Sequence, residues 1–387
     1  MKKIFYLNSL VFVLFTLCHC SGGTTNIYAN TTQVAVDSTN DRLFVAESSN
    51  SLFTLTASTK TALGGDQPIV TSTVNNTIYD LLPSVITHIT ALAEDTTTRL
   101  FISGTFADDS GNLVSNRVRV IDFDGTTFTE ADFSPVILSD GDGATDETDD
   151  SFSDMIADTT NNTIYITDTS TGLLLAINAA DGTEFHTPLA IAGAPQGLAI
   201  DNNYLYVCNT STVTSEQLVT VVKIADFTTT TIDLDIPCRQ IAAGTNASGT
   251  VLMVKNSSTQ QVLIRLVDTA TYAASTAVAT TTTDFTNGEL LAGFGISSGV
   301  NDIVLAKDST GLLQAYLPQQ DGNIEFITFT SDLTSFSAQT LAAVAQNIFS
   351  GAVLQNSDGT GATIFFPAES GYLIWVDVGS TSVELKN

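Results

Sequence analysis

One unit recurs along the chain and constrains its fold more than any other feature. A short apolar strand ends at an acidic or small polar residue. A turn of Asn, Thr, Asp or Gly follows, then a second strand, a further polar turn and a third strand. First strands read at Val34–Asp37, Ala91–Glu94, Met155–Asp158, Leu198–Asp201, Ile241–Ala243, Ile303–Leu305 and Ala352–Leu354. Second strands follow at Leu43–Ala46, Leu100–Ser103, Ile164–Asp168, Leu205–Asn209, Val251–Val254, Leu312–Tyr316 and Thr363–Phe366. The offsets from Asp37 to Leu43, Glu94 to Leu100 and Asp158 to Ile164 are each six residues, and Asp158 to Asp201 spans 43.

Such strands are rich in Val, Ile, Leu, Phe, Tyr and Thr, and so read as antiparallel meanders. A lone meander cannot bury both of its faces. Radial closure lets each unit pack on two neighbours and leaves only short, protected edges. The pattern therefore predicts an all-β chain folded as a seven-bladed β-propeller over residues 31–387. A six- or eight-bladed ring and a pair of β-sandwiches are the alternatives. No long stretch has helical period, and Thr runs such as Thr228–Thr231 oppose helix.

Charge narrows the partners. The 387 residues carry a formal net charge of -28 with only 14% charged residues. A surface this acidic repels phosphate backbones, which excludes nucleic acid, and it opposes direct docking on an anionic lipid surface. Contact with a membrane is then expected only through a lipid.

The N-terminus has the form that supplies one. Lys2 and Lys3 precede an apolar run from Ile4 to Leu17, then Cys18, His19 and Cys20, then a polar Ser21-Gly22-Gly23. This is a signal peptide over residues 1–19 with a tether over residues 20–30, too short to span a bilayer comfortably. Leu17-Cys18-His19-Cys20 resembles a bacterial lipobox with Cys20 as the lipidated residue, although His19 departs from the small residue usual there. Cys18 and an ordinary secretory signal are the alternatives. Ser21 after Cys20 implies, by that resemblance, an outer-membrane lipoprotein facing the periplasm or the surface. A soluble periplasmic or secreted form is the other reading. Export brings an oxidising compartment, in which Cys208 and Cys238 can pair or remain two buried thiols.

Pro195-Gln196-Gly197-Leu198-Ala199-Ile200-Asp201, followed by Tyr204-Leu205-Tyr206-Val207-Cys208-Asn209, resembles the YVTN and NHL classes of β-propeller repeat. Ile164-Tyr165-Ile166-Thr167-Asp168 is a similar fragment. The resemblance implies the fold and leaves activity open, since such propellers include binding proteins and, more distantly, lactone hydrolases.

Three features bear on chemistry. No HExxH helix or phosphate loop is present, and the mature chain has only His88 and His186. An acidic linker with Asp140, Asp142, Asp146 and Asp154 offers hard oxygen ligands suited to Ca²⁺, although its spacing departs from an EF-hand loop. The repeat alignment also sets Gln33, Thr90, Asp154, Gly197, Gln240, Asp302 and Gly351 at one equivalent position before each first strand. In a closed ring these converge at one end of the axis, with Arg239 and His88 beside them. Asp154 and Asp302 are there the candidate metal ligands, and Gln33, His88, Arg239 and Gln240 the candidate ligand-binding residues. The reading is a monomeric, non-enzymatic binding or interaction module for a protein, glycan or small ligand. A lactonase-like hydrolase with a channel metal and a structural or adhesive envelope protein are the alternatives.

Overall fold

A computed structural model describes residues 31–47, 52–59, 61–62, 85–107, 113–114, 117–137, 152–201, 203–211, 218–233, 237–256, 262–267, 283–284, 299–333, 336–342, 347–355, 361–369 and 372–386. The signal peptide, Cys20, the tether and most of the acidic linker, with Asp140, Asp142 and Asp146, lie outside these residues.

The described strands form seven antiparallel sheets in a β-propeller arrangement, with no helix among them. Six sheets are four-stranded meanders in which strands consecutive in sequence pair side by side. The third is typical, running Phe152–Asp158, Thr163–Asp168, Leu173–Asn178 and Glu184–Ala190. The second sheet is larger, with Val136–Ile137 as its outer strand and two short strands added. The first strand of each sheet packs against the first strand of the next, and that of the seventh packs against Thr31–Asp37 of the first.

Side-chain alternation builds the core between sheets. Residues adjacent in a strand point to opposite faces, so each strand feeds two interfaces. Phe44 joins Leu100 and Ile102 of the second sheet, whereas its neighbours Leu43 and Val45 join Phe365 and Trp375 of the seventh. Tyr165 packs with Leu205 and Val207 across the third and fourth sheets, and Tyr206 with Leu252 and Val254 across the fourth and fifth. Phe44, Phe101, Tyr165, Tyr206, Phe365 and Trp375 are all buried, each worth about 1.5–3 kcal/mol relative to exposure.

The sequence reading named three strands per unit, and the structure has a fourth at the outer edge of each sheet. Thr228–Asp233 and Glu184–Ala190 are such strands. The latter is largely exposed and lacks the apolar alternation that marks a half-buried strand. Its His186 stacks on Phe227 of the fourth sheet at 4.3 Å. Glu384–Lys386 fills the outer edge of the seventh sheet.

Several of the described aspartates close turns. Asp37 accepts the backbone N–H groups of Thr39 and Asn40 and the Asn40 side-chain amide, and Asp158 does the same with Thr160 and Asn161. In Asp124, Asp181, Asp226 and Asp308 the carboxylate binds the Thr two positions on. This Asx chemistry gives these aspartates a structural use. Arg42, 8% exposed, links the first two sheets. It donates to Thr98 Oγ1, to the Phe123 carbonyl at 2.6 Å and to the Thr96 carbonyl at 3.0 Å, and it lies over the Phe123 ring.

Candidate functional site at the axial mouth

The starts of the first strands are irregular in one consistent way. Register shifts fall between Thr31 and Gln33, Ile86 and His88, Phe152 and Asp154, Pro195 and Leu198, and Cys238 and Gln240. A bulge re-aims the side chain that follows it. Here it marks the level at which each strand meets a cavity of about 540 Å³, lined by Gln33, His88, Asp154, Gly197, Arg239, Gln240, Asp302 and Gly351.

In the second sheet the ring residue is His88, not Thr90. Ile89 pairs with Ile102 as Val34 pairs with Val45, so His88 is the counterpart of Gln33. The repeat alignment was two residues out because the second sheet turns through Asp95 and Thr96 alone. The first uses four residues, from Ser38 to Asp41.

Ring side chains reach forward to the next sheet. Asp154 accepts the N–H of its own neighbour Met155 and, with the other oxygen, the N–H of Leu198 in the fourth sheet, both at 2.8 Å. Asp302 repeats the construction with Ile303 and with Gly351 of the seventh sheet, again at 2.8 Å. His88 bonds the backbone of Ser153 in the third sheet, and its Nδ1 lies 3.5 Å from Ser103 Oγ. Glycine stands where a side chain would clash with the neighbouring sheet or the core. A Cβ on Gly197 would lie 2.8 Å from the Arg239 carbonyl oxygen, and one on Gly351 2.5 Å from Val304 Cγ2.

Burial dominates the electrostatics. It pushes the Asp154 and Asp302 carboxyls up to about 6, against the pull of their two backbone N–H partners. It pushes His88 down to about 4, so the imidazole is neutral at pH 7. Lys255 pairs with Gln240 in the fifth sheet and is only 5% exposed. Burial, and then the charge of Arg239, brings its ammonium down to about 8, with Asp302 acting the other way.

Asp154 and Asp302 thus serve as inter-sheet clasps. Among the described residues, no group of three or more His, Cys, Asp and Glu comes together to hold a metal ion. The clasp role has no signature in the residue pattern, because it depends on backbone N–H groups of a neighbouring sheet. Cys208 and Cys238 are joined by a disulfide that links the fourth and fifth sheets at this same level, with the Cα atoms 5.3 Å apart. A second cavity of about 330 Å³, lined by Asp201, Thr245, Lys307 and Gln355, lies where first strands end. Asp201 there accepts hydrogen bonds from Tyr206, Thr245 and Thr250.

No protein-family model matches the chain, and no curated protein matches it.

Proposed function

We propose that the protein is an exported, lipid-anchored β-propeller of seven blades, each sheet one blade, that acts as a non-enzymatic binding module of the cell envelope. Its ligand, a small molecule, a glycan or a projecting segment of a protein, sits in the axial mouth. The observation that carries this reading is the 540 Å³ cavity, into which polar side chains from the first, second, third, fifth and sixth sheets converge. Binding sites favour concave places with a few convergent polar groups. The Cys208–Cys238 disulfide supports an oxidising compartment. The basic start, apolar run and Cys20 support a lipid anchor on the outer membrane.

The test has two arms. Mass spectrometry of the N-terminal peptide from expressing cells should find a diacylglyceryl-modified Cys20, and Cys20→Ala should release the protein into the soluble fraction. A peptide that begins elsewhere and lacks lipid overturns the anchor. Thermal melts against a panel of amino acids, amines and oligosaccharides should yield ligands that stabilise the protein but not an Arg239→Ala/Gln240→Ala variant. Equal stabilisation of both overturns the mouth as the site.

Calcium enters this proposal through the acidic linker of Asp140, Asp142 and Asp146. A cation held only by the folded state at 100 times its Kd adds about 2.7 kcal/mol of stability. Identical melts with excess Ca²⁺ and with chelator would remove it.

A further inference from the structure

Asp154, Asp302 and His88 are engaged in bonds between sheets, whereas the fifth sheet brings polar groups to the same level that are not. Arg239 lines the cavity with its side chain exposed, and its guanidinium has no hydrogen bond or ion pair among the described residues. Lys255, on the strand behind, is only 5% exposed, and its ammonium likewise has none among the described residues. Gln240, the cross-strand partner of Lys255, holds a side-chain oxygen that is buried without a hydrogen-bond partner. We propose that Arg239 and Lys255 form an anion subsite of the axial mouth, which takes the carboxylate of a small organic ligand. The inference rests on the reading of the mouth as the binding site and names the chemistry of what binds there.

Strand register shows where Lys255 stands. Asp154 pairs with Thr167, Leu198 with Val207 and Gln240 with Lys255, so Thr167, Cys208 and Lys255 hold one equivalent position on successive second strands. Thr167 donates to the Gln196 carbonyl, and Cys208 bonds to Cys238, each reaching the first strand of the next sheet. Lys255 occupies the place of such a link to the sixth sheet and forms none among the described residues. Its ammonium feels the charges of Arg239 and of Asp302, both of which line the cavity.

The four charges of the mouth cancel in number but differ in their surroundings. Each aspartate already accepts two backbone N–H groups. The two cations have no acceptor among the described residues, and the charge of Arg239 opposes that of Lys255. A buried ammonium without a partner is unfavourable, and an anion held in front of it relieves the cost. Arg239 makes the direct contact, because its planar fork matches a carboxylate, and Lys255 adds charge from the wall behind. A singly charged carboxylate suits this mouth better than a phosphate dianion, which Asp154 and Asp302 would repel more strongly. The cavity of about 540 Å³ has the size of small-ligand sites.

The test titrates the full-length protein at pH 7 and fixed ionic strength with acetate and D-glucuronate, with their neutral counterparts acetamide and D-glucose, and with inorganic phosphate. Binding is read by calorimetry and by NMR of the arginine and lysine side chains. Each carboxylate should bind about tenfold or more tightly than its neutral counterpart, and Arg239→Gln should abolish that preference. Lys255→Met should weaken it. If Lys255→Met fails to fold, the wild-type spectrum decides for this residue: a lysine ammonium signal should move with glucuronate and stay fixed with glucose. Carboxylates that bind no better than their neutral counterparts, or equally well to Arg239→Gln, overturn the proposal, as does phosphate binding more tightly than glucuronate. If neutral or cationic ligands protect the mouth from hydrogen exchange while carboxylates do not, the anion subsite falls and the mouth stands as a binding site. If ligands of no charge class protect it, both fall.

Discussion

The Cys208–Cys238 disulfide ties the second strand of the fourth sheet to the first strand of the fifth, at the level where neighbouring sheets elsewhere rely on hydrogen bonds. In the third sheet Thr167, likewise on the second strand, occupies the matching place and donates to the Gln196 carbonyl of the fourth at 2.6 Å. The covalent link closes a loop of 30 residues. Chain entropy assigns such a loop about 3.5 kcal/mol. Replacing both cysteines with Ala should lower the unfolding free energy by roughly that amount in denaturant, and reductant should then leave the variant unchanged. A variant as stable as wild type would deny the staple its role.

Arg42 predicts a second loss. Its guanidinium answers the carbonyls of Thr96 and Phe123 and the Thr98 hydroxyl within the interface of the first two sheets. Arg42→Ala leaves buried acceptors unmet and should cost about 2–4 kcal/mol. Arg42→Lys should recover only part of this, because an ammonium cannot reproduce the planar fork. Full recovery by Lys, measured by urea unfolding, would show that charge alone matters there.

Gly197 marks a backbone contact that excludes a side chain. A methyl group at this position would meet the Arg239 carbonyl oxygen at 2.8 Å and Gln240 Cα at 2.9 Å. Gly197→Ala should therefore force the fourth and fifth sheets apart and cost about 1–3 kcal/mol. An unchanged melting temperature would mean that the sheets can part freely at the mouth.

His88 gives a prediction that turns on pH. Its proton affinity falls from 6.5 to about 4 on burial. Its stabilising contribution is therefore full above 6.5 and lost as pH falls through 4. His88→Gln should remove that loss, so the variant should decline less than wild type between pH 6.5 and 4. A steeper decline in the variant would contradict the burial argument.

The repeat, and with it the propeller arrangement, was legible because first, second and third strands are apolar and their turns carry Asp, Asn and Gly. The outer strands were not, because the exposed Glu184–Ala190 and the Thr-rich Thr228–Asp233 carry no apolar alternation. The ring at the mouth was legible in all but one sheet. Its failure at Thr90 follows from a turn two residues shorter, which spacing from Glu94 to Leu100 could not reveal. Asp154 and Asp302 were found by position, but their partners are backbone N–H groups of the next sheet, which no side-chain pattern encodes. The pairing of Cys208 with Cys238 was left open by the sequence because it depends on how the fourth and fifth sheets meet.

The most direct test of the account is hydrogen exchange, read by mass spectrometry, on the full-length protein with and without the strongest stabilising ligand of the melt panel. A ligand in the axial mouth should slow exchange in peptides that contain Gln33, His88, Asp154, Gln240 and Asp302, and leave the outer strands unaffected. Protection confined to outer strands such as Glu184–Ala190, with the mouth peptides unchanged, would contradict the claim that this propeller binds at its axis.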